Sequence, residues 1–132
     1  MKVVLNVDGG ARGNPGPAAI GVVISTLDGD LLEEAAEQIG PATNNVAEYR
    51  AVLRGLELAR KLGATEVEIV GDSELVARQL SGVYKVKHPS MKPLHERALA
   101  LLGGFSRWSI RTVPRAENAR ADELVNEALD AP

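Results

Sequence analysis

Cysteine is absent from all 132 residues. That excludes disulfides, thiolate zinc sites and cysteine nucleophiles. No apolar run approaches the roughly 20 residues that a bilayer-spanning helix needs. Met1-Lys2-Val3-Val4-Leu5 enters a strand-like pattern at once, without the regions of a signal peptide, so the cytoplasm is the default location. No internal repeat and no linker interrupts the chain. A positive net charge is also lacking: the formal value is −3. Taken alone, that speaks against a polyanionic partner, but its distribution does not. Between Leu75 and Arg115 eight cations (Arg78, Lys85, Lys87, Lys92, Arg97, Arg107, Arg111, Arg115) face only Glu96, a local net of +7. Such a segment is either a phosphate-facing surface or a solvated basic stretch. Apolar residues at 45% and charged residues at 25% are ordinary for a soluble globular protein. The length suits one domain over residues 1–132, and a monomer is the expected state.

Hydrophobic patterning divides the chain into nine elements. Val3–Asp8 reads as a strand, followed by a Gly/Pro-rich turn over Gly9–Pro17. Ala18–Ser25 and Leu31–Ile39 read as two more strands around the turn Leu27-Asp28-Gly29-Asp30. Pro41–Asn45 reads as a break before a helix over Val46–Leu62, which Gly63 stops. Glu66–Val70 is a fourth strand and Ser73–Leu80 a second helix. Gly82–Pro93 reads as irregular because Pro89 and Pro93 block regular structure. Helix Leu94–Leu102, strand Arg107–Val113 and helix Ala119–Leu129 complete the order βββαβααβα. A meander followed by strand–helix alternation predicts an α/β fold: a five-stranded mixed sheet with helices on both faces.

Four acids stand at the junctures of these elements. Asp8 closes the first strand, Glu48 lies in the first turn of the first helix, Asp72 follows the fourth strand, and Asp122 lies in the first turn of the last helix. Each has a local explanation. Asp8 suits an Asp-Gly turn. Glu48 completes a capping box with Asn45. Asp72 caps the second helix, and Asp122 favours a helix dipole. None of these explains why all four junctures are acidic. Strand C-termini and helix N-termini converge on one edge of such sheets, where ligands bind. Four carboxylates gathered there repel one another unless cations neutralise them. Mg²⁺ prefers such hard oxygen ligands, and two ions about 4 Å apart suit phosphoryl displacement.

Four motifs carry a resemblance to ribonuclease H type 1, spread over nearly the whole chain. They are Asp8-Gly9-Gly10-Ala11-Arg12-Gly13-Asn14-Pro15-Gly16-Pro17, Thr43-Asn44-Asn45-Val46-Ala47-Glu48-Tyr49, Gly71-Asp72-Ser73-Glu74-Leu75-Val76, and Glu117-Asn118-Ala119-Arg120-Ala121-Asp122-Glu123-Leu124. The resemblance implies a ribonuclease H-like fold. It also implies hydrolysis of the RNA strand of an RNA–DNA hybrid, leaving 5′-phosphate and 3′-hydroxyl ends. Asp8, Glu48, Asp72 and Asp122 then form the metal-binding catalytic set, holding two Mg²⁺ ions or Mn²⁺. Gly9, Gly10 and Asn14 match the turn that approaches the RNA backbone. Asn44 and Asn45 match minor-groove contacts, and Thr43 a hold on a phosphate of the DNA strand. Glu74 falls at a substrate-contact position where many relatives carry an amide. The alternative is a weakly catalytic or non-catalytic hybrid-binding module, which an altered acid would favour; all four acids are present.

The sequence departs from the family pattern in two places. Val113-Pro114-Arg115-Ala116-Glu117 lacks the histidine that many relatives carry before the last Asp. Arg115 is the nearest substitute; it suits orienting a phosphate but is a poor proton carrier, since its pKa exceeds 12. His88 and His95 do not match the missing residue and read as surface residues. Gly82-Val83-Tyr84-Lys85-Val86-Lys87-His88 is also much shorter than the basic, tryptophan-rich protrusion of many relatives. Trp108 reads as core or core edge.

Overall fold

A computed structural model describes residues 1–132. Strands β1 (Lys2–Ala11), β2 (Gly16–Ser25) and β3 (Leu31–Ala42) form an antiparallel meander. Helix α1 (Asn44–Lys61), strand β4 (Glu66–Gly71), helices α2 (Glu74–Leu80) and α3 (Lys92–Leu102), strand β5 (Arg107–Thr112) and helix α4 (Ala119–Asp130) follow. The sheet runs β3-β2-β1-β4-β5, with β4 and β5 parallel to β1. This is the anticipated five-stranded mixed sheet and element order.

The two faces of the sheet are covered unequally. In β1, Val3, Leu5 and Val7 alternate toward one face, as a period of two dictates. With Ile20, Val22 and Ile24 of β2 they meet Val52, Leu56 and Ala59 of α1 in a core of 22 buried residues that also takes in α2 and α3. The opposite face carries α4 alone. Ala19, Val125 and Ala128 form a separate cluster of 3 buried residues there.

Several boundaries differ from the sequence reading. β1 continues through Gly9, Gly10 and Ala11, because these residues pair with Ile20, Ala19 and Ala18 of β2. Cross-strand pairing thus overrides the turn propensity of glycine, and the turn proper is confined to Arg12–Pro15. β3 likewise runs on to Ala42. α1 starts at Asn44, with Thr43 as its N-cap; the Thr43 hydroxyl accepts from the Val46 amide at 3.2 Å. Asn45 is therefore inside the helix, and the Asn45–Glu48 capping box does not form. Ser73 rather than Asp72 caps α2. Pro93 sits in the first turn of α3, where its missing N–H costs nothing, instead of blocking that helix. A 3₁₀ turn over Arg115–Asn118, absent from the sequence reading, joins β5 to α4.

Candidate metal and nucleic-acid site

The ladder between β1 and β4 ends at Asn6 and Val70. Beyond that point the two strands part, and Asp8 and Asp72 stand on either side of the opening. α1 delivers the third acid. A Cβ on Gly9 would lie 2.2 Å from the Ala47 carbonyl carbon and 2.5 Å from the Glu48 amide nitrogen. Only glycine lets the helix backbone cross the strand so closely. The crossing puts the Glu48 carboxylate against the Gly9 amide, which donates to Oε1 at 3.1 Å. Carboxylate oxygens of Asp8, Glu48 and Asp72 all lie within 4.8 Å of one another. Asp122, in the first turn of α4, lines the same cleft from the opposite face of the sheet.

The cleft holds about 480 Å³ and is bordered mainly by polar groups, among them Gly9, Gly10, Asn44, Asn45 and Ser73. Its two cations are Arg12 and Arg115. Arg115 projects from the 3₁₀ turn, with Nε 3.5 Å from Asp72 Oδ2. The negative charge of Asp122, ahead of that contact with Asp72, raises its pKa further above the ordinary range.

Burial and mutual repulsion perturb the acids themselves. Desolvation pushes the Asp8 carboxyl up to about 7, with Asp72 and Asp122 adding repulsion and Glu48 opposing the rise. Desolvation and the Asp8 charge push Glu48 to about 9, against the lowering effect of the Gly9 amide. Without a cation, burial and mutual repulsion disfavour the charged forms of both Asp8 and Glu48. Clustered hard oxygens whose negative charge is unfavourable without a counter-ion are the donor set that a divalent cation fits.

The remaining expected residues divide into cleft and scaffold. Asn14 Oδ1 accepts from the Asn44 amide at 3.0 Å, and Asn44 Oδ1 accepts from the Ala11 amide at 2.9 Å. This reciprocal clamp ties the β1–β2 turn to the start of α1. Asn45 borders the cleft, whereas Asn14 and Thr43 lie outside its wall. Glu74 pairs with Arg78 one helical turn on and borders a different depression with Val83, Thr112 and Pro114.

Two residues within the quoted motifs escaped assignment. Arg12 borders the cleft. Asn118 is 2% exposed, and its amide donates to the Val7 carbonyl at 2.8 Å while its Oδ1 accepts from Asn6 at 3.1 Å. Their membership in motifs was the available signal; their partners, far away in sequence, were not. His95 is not the plain surface residue anticipated. It is half-buried, stacks edge-on against Tyr49 with ring centroids 6.4 Å apart, and places Nε2 3.2 Å from the Gln79 carbonyl. Trp108 packs partly buried against the main core, as expected. His88 is exposed.

Comparison with known proteins agrees with this geometry. The family described as reverse transcriptase-like matches residues 6–128. The chain is 53% identical over 132 residues to the bifunctional protein Rv2228c of Mycobacterium tuberculosis, covering 99% of this chain and 36% of that protein. The solved N-terminal RNase H domain of that protein superposes with a TM-score of 0.96 at 52% identity, over 98% of this chain and 100% of that one. The ribonuclease HI of Halobacterium salinarum is 50% identical over 93% of this chain and 62% of its own length. LC11-RNase H1, solved in complex with an RNA/DNA hybrid, superposes with a TM-score of 0.93 at 47% identity, over 97% of this chain and 96% of that one. The chain belongs to the ribonuclease H-like family. It spans about a third of the length of the mycobacterial relative.

Proposed function

We propose that this protein is an endoribonuclease that hydrolyses the RNA strand of RNA–DNA hybrids. The observation that carries the proposal is the convergence of Asp8, Glu48 and Asp72, from three separate elements, within 4.8 Å. Relatives named ribonuclease H, one of them solved on an RNA/DNA hybrid, supply the substrate class.

In this reading Asp8, Glu48, Asp72 and Asp122 hold two Mg²⁺ or Mn²⁺ ions. When bound, the ions supply charge neutralisation and an activated water for in-line displacement. The chain's own groups then position the substrate. The backbone at Gly10 borders the cleft, and in this reading it contacts ribose 2′-hydroxyls, the groups that distinguish RNA from DNA. The exposed Asn45 amide both donates and accepts, and Asn44, whose Oδ1 holds the Ala11 amide, keeps its Nδ2 as a donor; both suit minor-groove edges. Arg115 orients the phosphate beside Asp72. Asn14 and Thr43 act chiefly by fixing the frame around Asn44. Cleavage leaves 5′-phosphate and 3′-hydroxyl ends, and residues 1–132 act as one domain.

The test is cleavage of an end-labelled RNA–DNA hybrid with Mg²⁺, with Mn²⁺ and with chelator. Cutting is expected with metal only, on the RNA strand only, and not on duplex DNA. Asp72→Asn is expected to reduce the rate at least a hundredfold while leaving the circular dichroism spectrum unchanged, since one ligand of a metal pair is lost. Equal cutting of hybrid and duplex DNA would exclude the assigned specificity.

A further inference from the structure

Arg12 lines the cleft together with Arg115, and its guanidinium is already engaged. Nη2 lies 2.7 Å from Asp130 Oδ1 at the end of α4, and the two side chains are 50% and 67% exposed. A pair so open to water holds weakly, because water and salt screen it. The backbone beneath Arg12 is fixed, by contrast. Its amide donates to the Pro17 carbonyl at 2.8 Å. A Cβ on Gly16 would come 2.1 Å from the Arg12 carbonyl oxygen, so the turn closes over Arg12 only because residue 16 is glycine. The neighbouring Ala11 amide is held by Asn44. The structure therefore presents a loosely held guanidinium on a rigid mount, at the rim of a cleft dominated by acids.

We infer that Arg12 binds a backbone phosphate of the nucleic acid and that Asp130 occupies its guanidinium until that phosphate arrives. The inference rests on the hybrid-nuclease reading above. A phosphate diester offers two acceptor oxygens to the planar guanidinium fork, whereas Asp130 engages it through one oxygen, Oδ1 on Nη2. The substrate exchanges one screened ion pair for another and drives the exchange with the release of its own counter-ions. Asp130 thereby lowers affinity for any anion too weak to displace it.

The experiment measures KM and kcat for hybrid cleavage, and hybrid affinity by fluorescence anisotropy with metal withheld, over a series of KCl concentrations. Arg12→Ala is expected to raise KM and the dissociation constant about tenfold while affecting kcat much less, and to reduce the salt slope by about one. Arg12→Lys is expected to keep the salt slope but recover only part of the affinity, since lysine lacks the fork. Asp130→Asn is expected to tighten binding about twofold. An unchanged salt slope in Arg12→Ala would overturn the inference. So would weaker binding in Asp130→Asn, which would reduce the pair to a structural tie between the turn and α4. If the wild type binds hybrid but fails to cut it, the nuclease reading falls, and the Arg12 contact is decided by the anisotropy series.

Discussion

At the scale of single residues, the clustered acids govern pH behaviour and, under the proposed function, the chemistry. Asp8 and Glu48 have carboxyl groups raised from ordinary values of 3.8 and 4.5 to about 7 and about 9. The folded protein therefore keeps protons that the unfolded chain releases above about pH 4. These two groups cost stability progressively as pH rises through those windows. In chelator, the melting temperature is expected to fall between pH 5.5 and 8.5, and Mg²⁺ is expected to restore it. Asp8→Asn removes one charge from the cluster and is expected to raise the metal-free melting temperature at pH 8.5 by roughly 5 °C, while abolishing cleavage. A scan of wild type and variant at the two pH values checks both. Arg115 touches Asp72 at 3.5 Å from a side chain 75% exposed. Arg115→Ala is thus expected to slow turnover about tenfold, well short of the loss in Asp8→Asn, and single-turnover kinetics measures the difference. The acids were legible in the sequence because patterning sets each near a juncture of elements, although β1 in fact runs on past Asp8 and α1 begins four residues before Glu48. Arg12 and Asn118 were not, because Asp130 and Val7 meet them only through the tertiary fold.

At the scale of elements, the split between β1 and β4 is the decisive feature. Val7 lies one residue beyond the last β1–β4 pair, and the Asn118 side chain supplies a hydrogen bond to its carbonyl there. One amide thereby fixes the 3₁₀ turn carrying Arg115, and the first turn of α4 carrying Asp122, against the strand that carries Asp8. Asn118→Ala leaves a buried carbonyl without that donor, at a cost of about 1–3 kcal/mol. It is also expected to weaken Mn²⁺ binding several-fold, as loss of a supporting contact does. Isothermal titration separates this from a purely structural effect, which would lower the melting temperature alone. Strands and helices were readable from β-branched alternation and helical spacing. The 3₁₀ turn was not, since Arg-Ala-Glu-Asn has no periodicity. Nor was the continuation of β1 through two glycines, which depends on the presence of β2.

At the scale of the whole molecule, the basic stretch of the sequence is largely neutralised on folding. Arg78, Arg97, Arg107, Arg111 and Arg115 meet Glu74, Glu57, Glu66, Glu68 and Asp72 respectively. Lys85, Lys87 and Lys92 remain the unpaired cations of that stretch, Lys85 and Lys92 bordering one depression with Tyr84 and His95. Charge counting along the chain overstated the positive surface because it could not foresee acids arriving from α1 and β4. Sheet order and class were recoverable because crossover rules leave few arrangements for this succession of elements. The unequal covering of the two sheet faces was not, because it depends on how many helices each crossover sends to each side.

That inequality assigns different robustness to different parts of the proposed catalytic site. Glu48 rides on a helix seated in the large core, whereas Asp122 rides on α4, which buries Ala121, Leu124, Val125 and Ala128 and shares a cluster of only 3 residues with β2. Hydrogen exchange is expected to proceed faster in the amides of α4 than in those of α1, through an opening that spares the rest of the molecule. Each such opening carries away one acid and the Asn118 tether together. The enzyme would lapse into an inactive state while still registering as folded by most optical probes, so warming should extinguish turnover before it melts the protein.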